Sequence, residues 1–251
     1  MNFRKQLCAL AVGCAATIVP LTGQALDSQA IDIVADGGRP LAKVLDELER
    51  RFGWVITYEE PPYVHPSDVR DVTRETRRDY SASSAAVVVP NGRPFRYVYT
   101  GVPNEEAVLQ ELLKTYKDAG NAAEFRLERT GTLFHLVASA ARNRDGQYEG
   151  YQALLDARIS IPDADRTAFE MIRAIASAVE SKAATKVILG SVPTNVLIQT
   201  RLHEGAQNET ARAVLIRCLQ ATNAPLSWRV LYGPGNEPMY ALNIHYVKRR
   251  E

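Results

Sequence analysis

The chain has 251 residues, with 30 Lys and Arg against 29 Asp and Glu, so its formal net charge is +1. This balance offers no long-range attraction for nucleic acid or for an anionic membrane, and we expect neither as a partner. The length is sufficient for two domains of about 100 residues each. Of the three cysteines, Cys8 and Cys14 lie near the start, so Cys218 alone remains downstream and no internal disulfide is expected.

The first 25 residues have the layout of a secretory signal peptide. Arg4 and Lys5 provide a positive start, residues 7–21 form an apolar run, and small residues lead to a cleavage site at Ala25. We therefore predict export and a periplasmic location. Lipidation at Cys14 is the alternative, although the residues before it lack the Leu of a lipoprotein signal. No later apolar run is long enough to cross a bilayer, so we expect no transmembrane segment in the mature chain.

The first half of the mature chain is predicted to fold in the order β-α-β-β-α-β-β. Ile31-Asp-Ile-Val-Ala alternates as a strand does, and the helix after Pro40 carries an apolar stripe that Gly53 ends. Asn104 is expected to cap the second helix, which stops at Gly120. The predicted strands are 31–35, 54–58, 95–100, 124–129 and 133–137, and the predicted helices are 40–52 and 104–119.

A polar insertion interrupts this unit between its second and third strands, at about residues 60–94. It carries four arginines among acidic residues and then Val87-Val-Val, so we predict a mobile loop with one short strand at Val87. Residues 143–146 are polar and are predicted to be a linker, which places a domain boundary near residue 145.

The second half is predicted to repeat the same order. Its strands are expected at 158–162, 186–189 and 196–202, followed by a hairpin of 228–232 and 240–246. Its first helix spans 169–179, and Asn208 is expected to cap the second, whose apolar face contains Ala211, Val214, Leu215, Cys218 and Leu219.

Similar residues recur in the two halves, offset by a constant number of positions within each matched segment. Ile31 and Ile33 shift by 128 positions onto Ile159 and Ile161, and Phe125-Arg-Leu shifts by 103 onto Trp228-Arg-Val. Asn104-Glu-Glu-Ala shifts by 104 onto Asn208-Glu-Thr-Ala. We predict an α+β protein of two tandem domains, 26–145 and 146–251, each with helices packed on small mixed sheets and each with its own core.

Three segments carry a resemblance to a known domain family. They are Leu41-Ala-Lys-Val-Leu-Asp-Glu-Leu-Glu-Arg-Arg-Phe-Gly-Trp-Val-Ile-Thr-Tyr, Asn104-Glu-Glu-Ala-Val-Leu-Gln-Glu-Leu-Leu, and residues 208–222 followed by Leu226-Ser-Trp-Arg-Val. With the predicted order of elements, they resemble the secretin and TonB short N-terminal domain. The resemblance covers most of residues 30–137 and, more loosely, 158–247.

The resemblance implies a function as well as a fold. In that family the domain is periplasmic and non-catalytic, and it makes protein contacts ahead of an outer-membrane pore or receptor. This chain has two such units and ends at Glu251, so we do not expect the pore or receptor roles to carry over. The resemblance implies a free-standing interaction module of the cell envelope with a protein partner.

Reactive groups are sparse in the sequence. The four histidines are His65, His135, His203 and His245, and their spacing fits no metal or hydrolase motif. We therefore expect neither a metal nor a cofactor. His135 and His245 are expected on the wetter face of their strands. Cys218 lies on an apolar helical face and is expected to serve packing. The aromatic residues at repeated strand positions, Trp54, Phe125, Trp228 and Tyr240, are also expected in the cores.

Partner-binding residues are therefore sought among aromatic and basic side chains. Tyr97 and Tyr99 lie on a strand near the insertion and are candidate anchors for a partner strand. The insertion arginines are the other candidates: Arg70, Arg74, Arg77 and Arg78. The alternative is a periplasmic small-ligand-binding protein or a hydrolase with a pocket between the domains, for which Glu59-Glu60 is the one adjacent acid pair near an aromatic loop.

Overall fold

The computed structural model describes residues 30–76 and 86–248. The predicted signal peptide of residues 1–25, with Cys14, lies outside these ranges, as do Arg77 and Arg78. The described part contains helices and strands in mixed sheets, which confirms the α+β class. None of its helices is both long and apolar enough to cross a membrane.

The N-terminal half follows the predicted order. Gly53 ends α1 with φ 69°, and its N–H donates to the carbonyl of Glu49 at 2.8 Å. Asn104 caps α3 as predicted, since its side chain accepts from the N–H of Ala107 at 3.1 Å. The elements are β1 (Ile31–Ala35), α1 (Pro40–Phe52), β2 (Ile56–Glu59), β3 (Val69–Asp71), α2 (Thr73–Thr76), β4 (Val88–Pro90), β5 (Phe95–Tyr99), α3 (Glu105–Asp118), β6 (Ala123–Thr130) and β7 (Leu133–Arg142).

The insertion is anchored to the rest of the half where it is described. Strands β3 and β4 pair antiparallel, so the short strand predicted at Val87 is present one residue later. Asp68, in a 3₁₀ turn, forms an ion pair with Arg142 of β7 at 3.2 Å, and both side chains are largely buried. This part of the insertion is therefore packed against the first half.

The C-terminal half contains the remaining elements. A 3₁₀ turn at Leu154–Asp156 leads into it, and Thr167 with Glu170 forms a capping box at the start of its first helix. The elements are β8 (Tyr148–Gly150), β9 (Arg158–Thr167), α4 (Ala168–Ala183), β10 (Lys186–Leu189), α5 (Thr194–Gln199), β11 (Arg201–Thr210), α6 (Ala211–Gln220), β12 (Leu226–Gly233) and β13 (Met239–Tyr246).

Two predictions in this half were wrong. The strand predicted at 196–202 is the short helix α5 followed by β11, because Val196 accepts a helical hydrogen bond from the N–H of Thr200 at 3.1 Å. Asn208 does not cap α6: it lies in β11 with φ 54°, and Thr210 caps the helix by accepting from the N–H of Ala213 at 3.3 Å. The short run of apolar residues in α5 did not distinguish a helix from a strand.

Seven of the described strands form one sheet that runs through both halves, in the order β10-β13-β12-β2-β7-β6, with β8 paired to β7. In the N-terminal half, β2 is parallel to β7, and β7 is antiparallel to β6. In the C-terminal half, β10 is likewise parallel to β13, and β13 is antiparallel to β12. Three further pairs lie outside the sheet: β1–β5, β9–β11 and the insertion pair β3–β4. The halves are joined by parallel pairing of β12 with β2, and they do not close separately as the sequence led us to expect.

The helices of the two halves cover opposite faces of this sheet. Tyr58 of β2 belongs to the core of α1 and α3, whereas Val230 of β12 belongs to the core of α4 and α6. Arg229 is paired with Tyr58 and shares its face, so neighbouring residues of β12 point to the two cores alternately. Each half has its own apolar core, and the tandem duplication with a boundary near residue 145 remains a prediction.

Candidate functional site

The two halves meet where β12 pairs with β2, a contact that we call the junction. The N–H of Glu60 donates to the carbonyl of Val230 at 2.9 Å, and the Oγ of Ser227 donates to the carbonyl of Ile56 at 2.5 Å. These bonds satisfy the edge of β2 that faces β12.

Glu49 of α1 covers one face of the junction. Its Oε2 forms an ion pair with Nη2 of Arg229 at 2.9 Å and lies 2.8 Å from Nε2 of His245, while its Oε1 accepts from the N–H of Ile56 at 3.3 Å. His245 is half-buried, whereas Leu242 and Ile244 of the same strand are buried, so His245 lies on the wetter face of β13, as predicted. The Glu49 carboxylate of α1 thus contacts the backbone of β2 and the side chains of Arg229 and His245.

Arg212 of α6 covers the other face. Its guanidinium binds both carboxylate oxygens of Glu59, at 2.7 and 2.8 Å, and Oδ1 of Asp156 at 2.5 Å. Burial raises the pKa of Glu59, and Arg212 opposes that shift. Burial also acts to raise the pKa of Asp156, but Arg212 and Arg126 outweigh it and lower this pKa. Such an arrangement is an ion-pair network between the halves.

Glu60 points to the side opposite Glu59. The Nε of Arg39 donates to it at 3.0 and 3.1 Å, the N–H of Tyr232 donates at 2.9 Å, and Nη2 of Arg39 donates to the carbonyl of Tyr232 at 2.6 Å. Glu59 and Glu60 are each 1% exposed. Adjacent strand residues face opposite sides, so these two carboxylates do not flank one cleft as glycosidase chemistry requires.

His135 was expected on a wet face, and this prediction was wrong. It is fully buried, its Nδ1 lies 2.7 Å from Oγ1 of Thr57, and its ring stacks on Trp228 with centroids 5.5 Å apart. Burial, followed by the charge of Arg212, lowers the pKa of His135 to about 4. This face of β7 is buried because Trp228 of the other half stacks on the His135 ring, and Arg212 of α6 binds Glu128, the cross-strand neighbour of His135.

The candidate anchors Tyr97 and Tyr99 do not form a surface. Tyr97 is fully buried and its hydroxyl donates to the carbonyl of Val108 at 2.8 Å, so the prediction that it binds a partner was wrong. Tyr99 pairs with Ile31 across β1–β5 and is half-buried against the same core. The alternation of β5 directs both rings toward α3.

The described insertion arginines do not converge on a site. Arg70 is exposed and lies 3.7 Å from Glu75, and Arg74 is exposed on α2. Exposed pairs of this kind contribute little to stability. Their role in partner binding remains a prediction.

The open edge of β10 is the feature that the sequence did not indicate. The N–H of Gly190 donates to the carbonyl of Leu242 of β13 at 2.9 Å. The backbone N–H and C=O groups of successive strand residues point to opposite edges, so those of Val187 and Leu189 point away from β13. No described strand pairs with that side. A groove of about 390 Å³ runs between this edge and α4, and Ile188, one of its lining residues, is 37% exposed.

The open edge of β10 corresponds to the edge of β2 that the junction fills. Glu180 of α4 accepts from the N–H of Val187 at 3.3 Å, as Glu49 of α1 accepts from the N–H of Ile56 at the same distance. Both contacts join residues seven positions apart. Glu49 also binds Arg229 of the incoming strand, whereas no ion pair to Glu180 is present in the described residues.

A cleft of about 690 Å³ lies beside the segment that joins the halves. Tyr151, Tyr232 and Tyr240 line it, and the hydroxyls of Tyr151 and Tyr240 are 2.9 Å apart. Arg158 and Lys182 lie at its exposed border. This volume is within the range of small-molecule sites.

Metal and thiol chemistry have no arrangement to support them in the described part of the chain. No group of three His, Cys, Asp or Glu residues there is placed to hold a metal ion. Cys218 is buried on α6, and burial raises the pKa of its thiol to about 12. This environment agrees with a packing role.

No family model, curated protein or solved structure matches the chain.

Proposed function

We propose that the protein is an exported, non-catalytic protein-binding module of the cell envelope, and that its partner adds a strand to the open edge of β10. The observation that carries this proposal is the junction. There, an equivalent strand edge beside an equivalent helix already holds an added strand, β12, through backbone hydrogen bonds and the Arg229–Glu49 ion pair.

Strand addition suits the chemistry of the β10 edge. An unpaired edge presents N–H and C=O groups that bind any extended segment, and the neighbouring side chains select which segment is bound. At β10 these neighbours are the exposed side chain of Ile188, the groove along α4 and the carboxylate of Glu180. An apolar strand with a basic residue is the segment that fits them.

Two further observations support the proposal. The signal-like residues 1–25 favour export to the periplasm, and the short N-terminal domain that the sequence resembles is a periplasmic protein-contact module. The buried carboxylates at the junction, such as Glu59 and Glu60, are bound by arginines and serve to hold the halves together. A non-catalytic role agrees with that use.

A photo-crosslinking amino acid placed at residue 188 tests the proposal. We expect adducts with a protein partner in envelope extracts, because residue 188 borders the open edge. The matched control is residue 198, another exposed isoleucine, which lies on α5 and does not line the groove. Equal adducts from both positions, or none from residue 188, would contradict strand addition at β10.

A second candidate is small-ligand binding in the tyrosine-lined cleft. The Tyr151–Tyr240 hydroxyl pair favours it, since two hydroxyls at 2.9 Å can bind a polyol or sugar while the rings provide apolar contact. A thermal-shift screen with cell-wall fragments and sugars tests it. A rise in melting temperature that disappears in Tyr151→Ala would support this function, and no rise with any fragment would count against it.

A further inference from the structure

We infer that the strand added at the β10 edge is β6 of a second copy of this chain, so that copies join head to tail through a continuous sheet. The inference rests on the proposed function, because it identifies the partner of the same edge. Its basis is that the two ends of the seven-stranded sheet match the two sides of the junction.

The outer strand at one end is the counterpart of β2, and the outer strand at the other end is the counterpart of β12. β10 and β2 each follow the first helix of their half and pair in parallel with the last strand of that half. β6 and β12 are each eight residues long and each form the first strand of the closing hairpin. Pairing β6 with β10 therefore repeats the contact of β12 with β2.

Strand directions permit this pairing without any rotation of the second copy. The pairings across the sheet show that β12 and β2 run in the same direction, and that β10 and β6 both run in the opposite direction. β6 and β10 are thus parallel to each other, as β12 and β2 are at the junction. A simple displacement of one copy along the sheet brings the two edges together.

Side chains at the two edges repeat the junction as well. Counting from the first residue of each strand, Arg126 in β6 occupies the position of Arg229 in β12, and Glu180 takes the place of Glu49. Arg126 faces away from α3, on the side that α4 of the next copy would cover, because its guanidinium meets Asp156 and Glu128. In the single chain Arg126 binds Asp156 and Glu128. Assembly therefore requires Arg126 to release one of these two carboxylates and bind Glu180 of the next copy.

A contact of this kind is heterologous, because two different surfaces meet. It leaves a free β10 at one end of every assembly and a free β6 at the other, and growth continues unless the sheet twist closes a ring. A closed two-fold dimer is not the expected product.

Sedimentation velocity over a series of concentrations provides the first test. We expect the purified protein to form oligomers whose masses are successive integer multiples of the monomer mass as the concentration rises. Ile188→Glu should weaken this association by about tenfold or more, because its carboxylate would be desolvated at the paired edge. Ile198→Glu is the matched control and should associate like the unmodified protein. A protein that stays monomeric at every concentration would overturn the inference.

Cysteine crosslinking between separately prepared chains provides the second test. In the register of the junction, Glu128 of β6 lies opposite Ser191, so Glu128→Cys mixed with Ser191→Cys should give a covalent heterodimer with a short bismaleimide. Buried Cys218 should remain unlabelled. Glu149→Cys, exposed on β8, replaces Glu128→Cys in the control and should give no product. Equal yields from both mixtures would contradict the proposed register.

The two proposals fail in different ways. Adducts from residue 188 to another protein, with a monomeric chain, would leave strand addition intact and refute self-assembly. Absence of both adducts and self-association would refute the two proposals together.

Discussion

The edge of β2 and the edge of β10 have the same local construction but different neighbours. Each edge lies beside a helix that directs a glutamate to the strand, Glu49 in one half and Glu180 in the other. Among the described residues, only the edge of β2 is filled, by β12 and Arg229. The comparison shows that one construction can serve as internal structure in one half and as an accessible edge in the other.

The largest expected effect is at the filled edge. Arg212→Leu should lower the free energy of unfolding by about 3–5 kcal/mol, because it leaves the buried Glu59 carboxylate without its cation. Denaturant unfolding measures this. Arg217→Leu on the same helix is the control: its pair with Glu209 is partly exposed, with 39% and 38% of the two side chains accessible to solvent, so a change of less than about 1 kcal/mol is expected. Similar losses in both variants would show that the junction is not desolvated.

Removing core side chains compares the two halves directly. Leu45→Ala and Leu215→Ala should each cost about 2–5 kcal/mol, since both leucines are fully buried, one in each core. The shared sheet leads us to expect one unfolding transition for both variants. Two separate transitions in calorimetry would show that the halves unfold independently, and a cost below about 0.5 kcal/mol would show that the site is not packed.

Acid should weaken the junction through His135. The pKa of its imidazole is lowered to about 4 in the folded protein, from an ordinary 6.5, chiefly by burial. The unfolded chain therefore takes up a proton first as the pH falls, and stability is lost between pH 6.5 and 4, by at most about 1.4 kcal/mol per pH unit. Unfolding curves measured across this window should show a smaller slope for His135→Gln, which keeps a polar group near Thr57 but does not titrate. An unchanged slope would assign the acid sensitivity to other groups.

The smallest effect on stability is expected at the open edge. In the monomer, at protein concentrations too low for self-association, Ile188→Glu should change the free energy of unfolding by less than about 0.5 kcal/mol, because this side chain is partly exposed and no described strand covers the edge. The equivalent position beside the junction is Thr57, which is fully buried, and Thr57→Glu should be strongly destabilising. Equal losses would mean that the two edges do not differ in burial.

Local sequence signals located most elements of the N-terminal half. Pro40, Gly53 and Asn104 marked helix ends through their own backbone preferences or hydrogen bonds, which depend on few neighbours. The same reasoning failed at α5 and at Asn208. There, a short apolar run fits either a helix or a strand, and a positive φ in a strand replaced the expected cap.

The site was less accessible to sequence reasoning than the fold. Tyr97 was expected at a surface, but α3 covers it, and His135 was expected to be wet, but Trp228 of the other half stacks on it. A signal for the junction was present in Arg229, a charged residue between Trp228 and Val230 in a strand. Its meaning depended on Glu49, which is 180 positions away in the chain.

The sequence by itself determined the α+β class, the helix ends in the first half and the apolar faces that form the two cores, because periodicity and capping act over a few residues. Only the tertiary structure decided that β12 pairs with β2, that Arg212 and Arg229 become buried ion-pair partners, and that no described strand pairs with the outer edge of β10. The physical reason is that a strand's two edges offer the same backbone groups, and which edge is filled depends on long-range pairing.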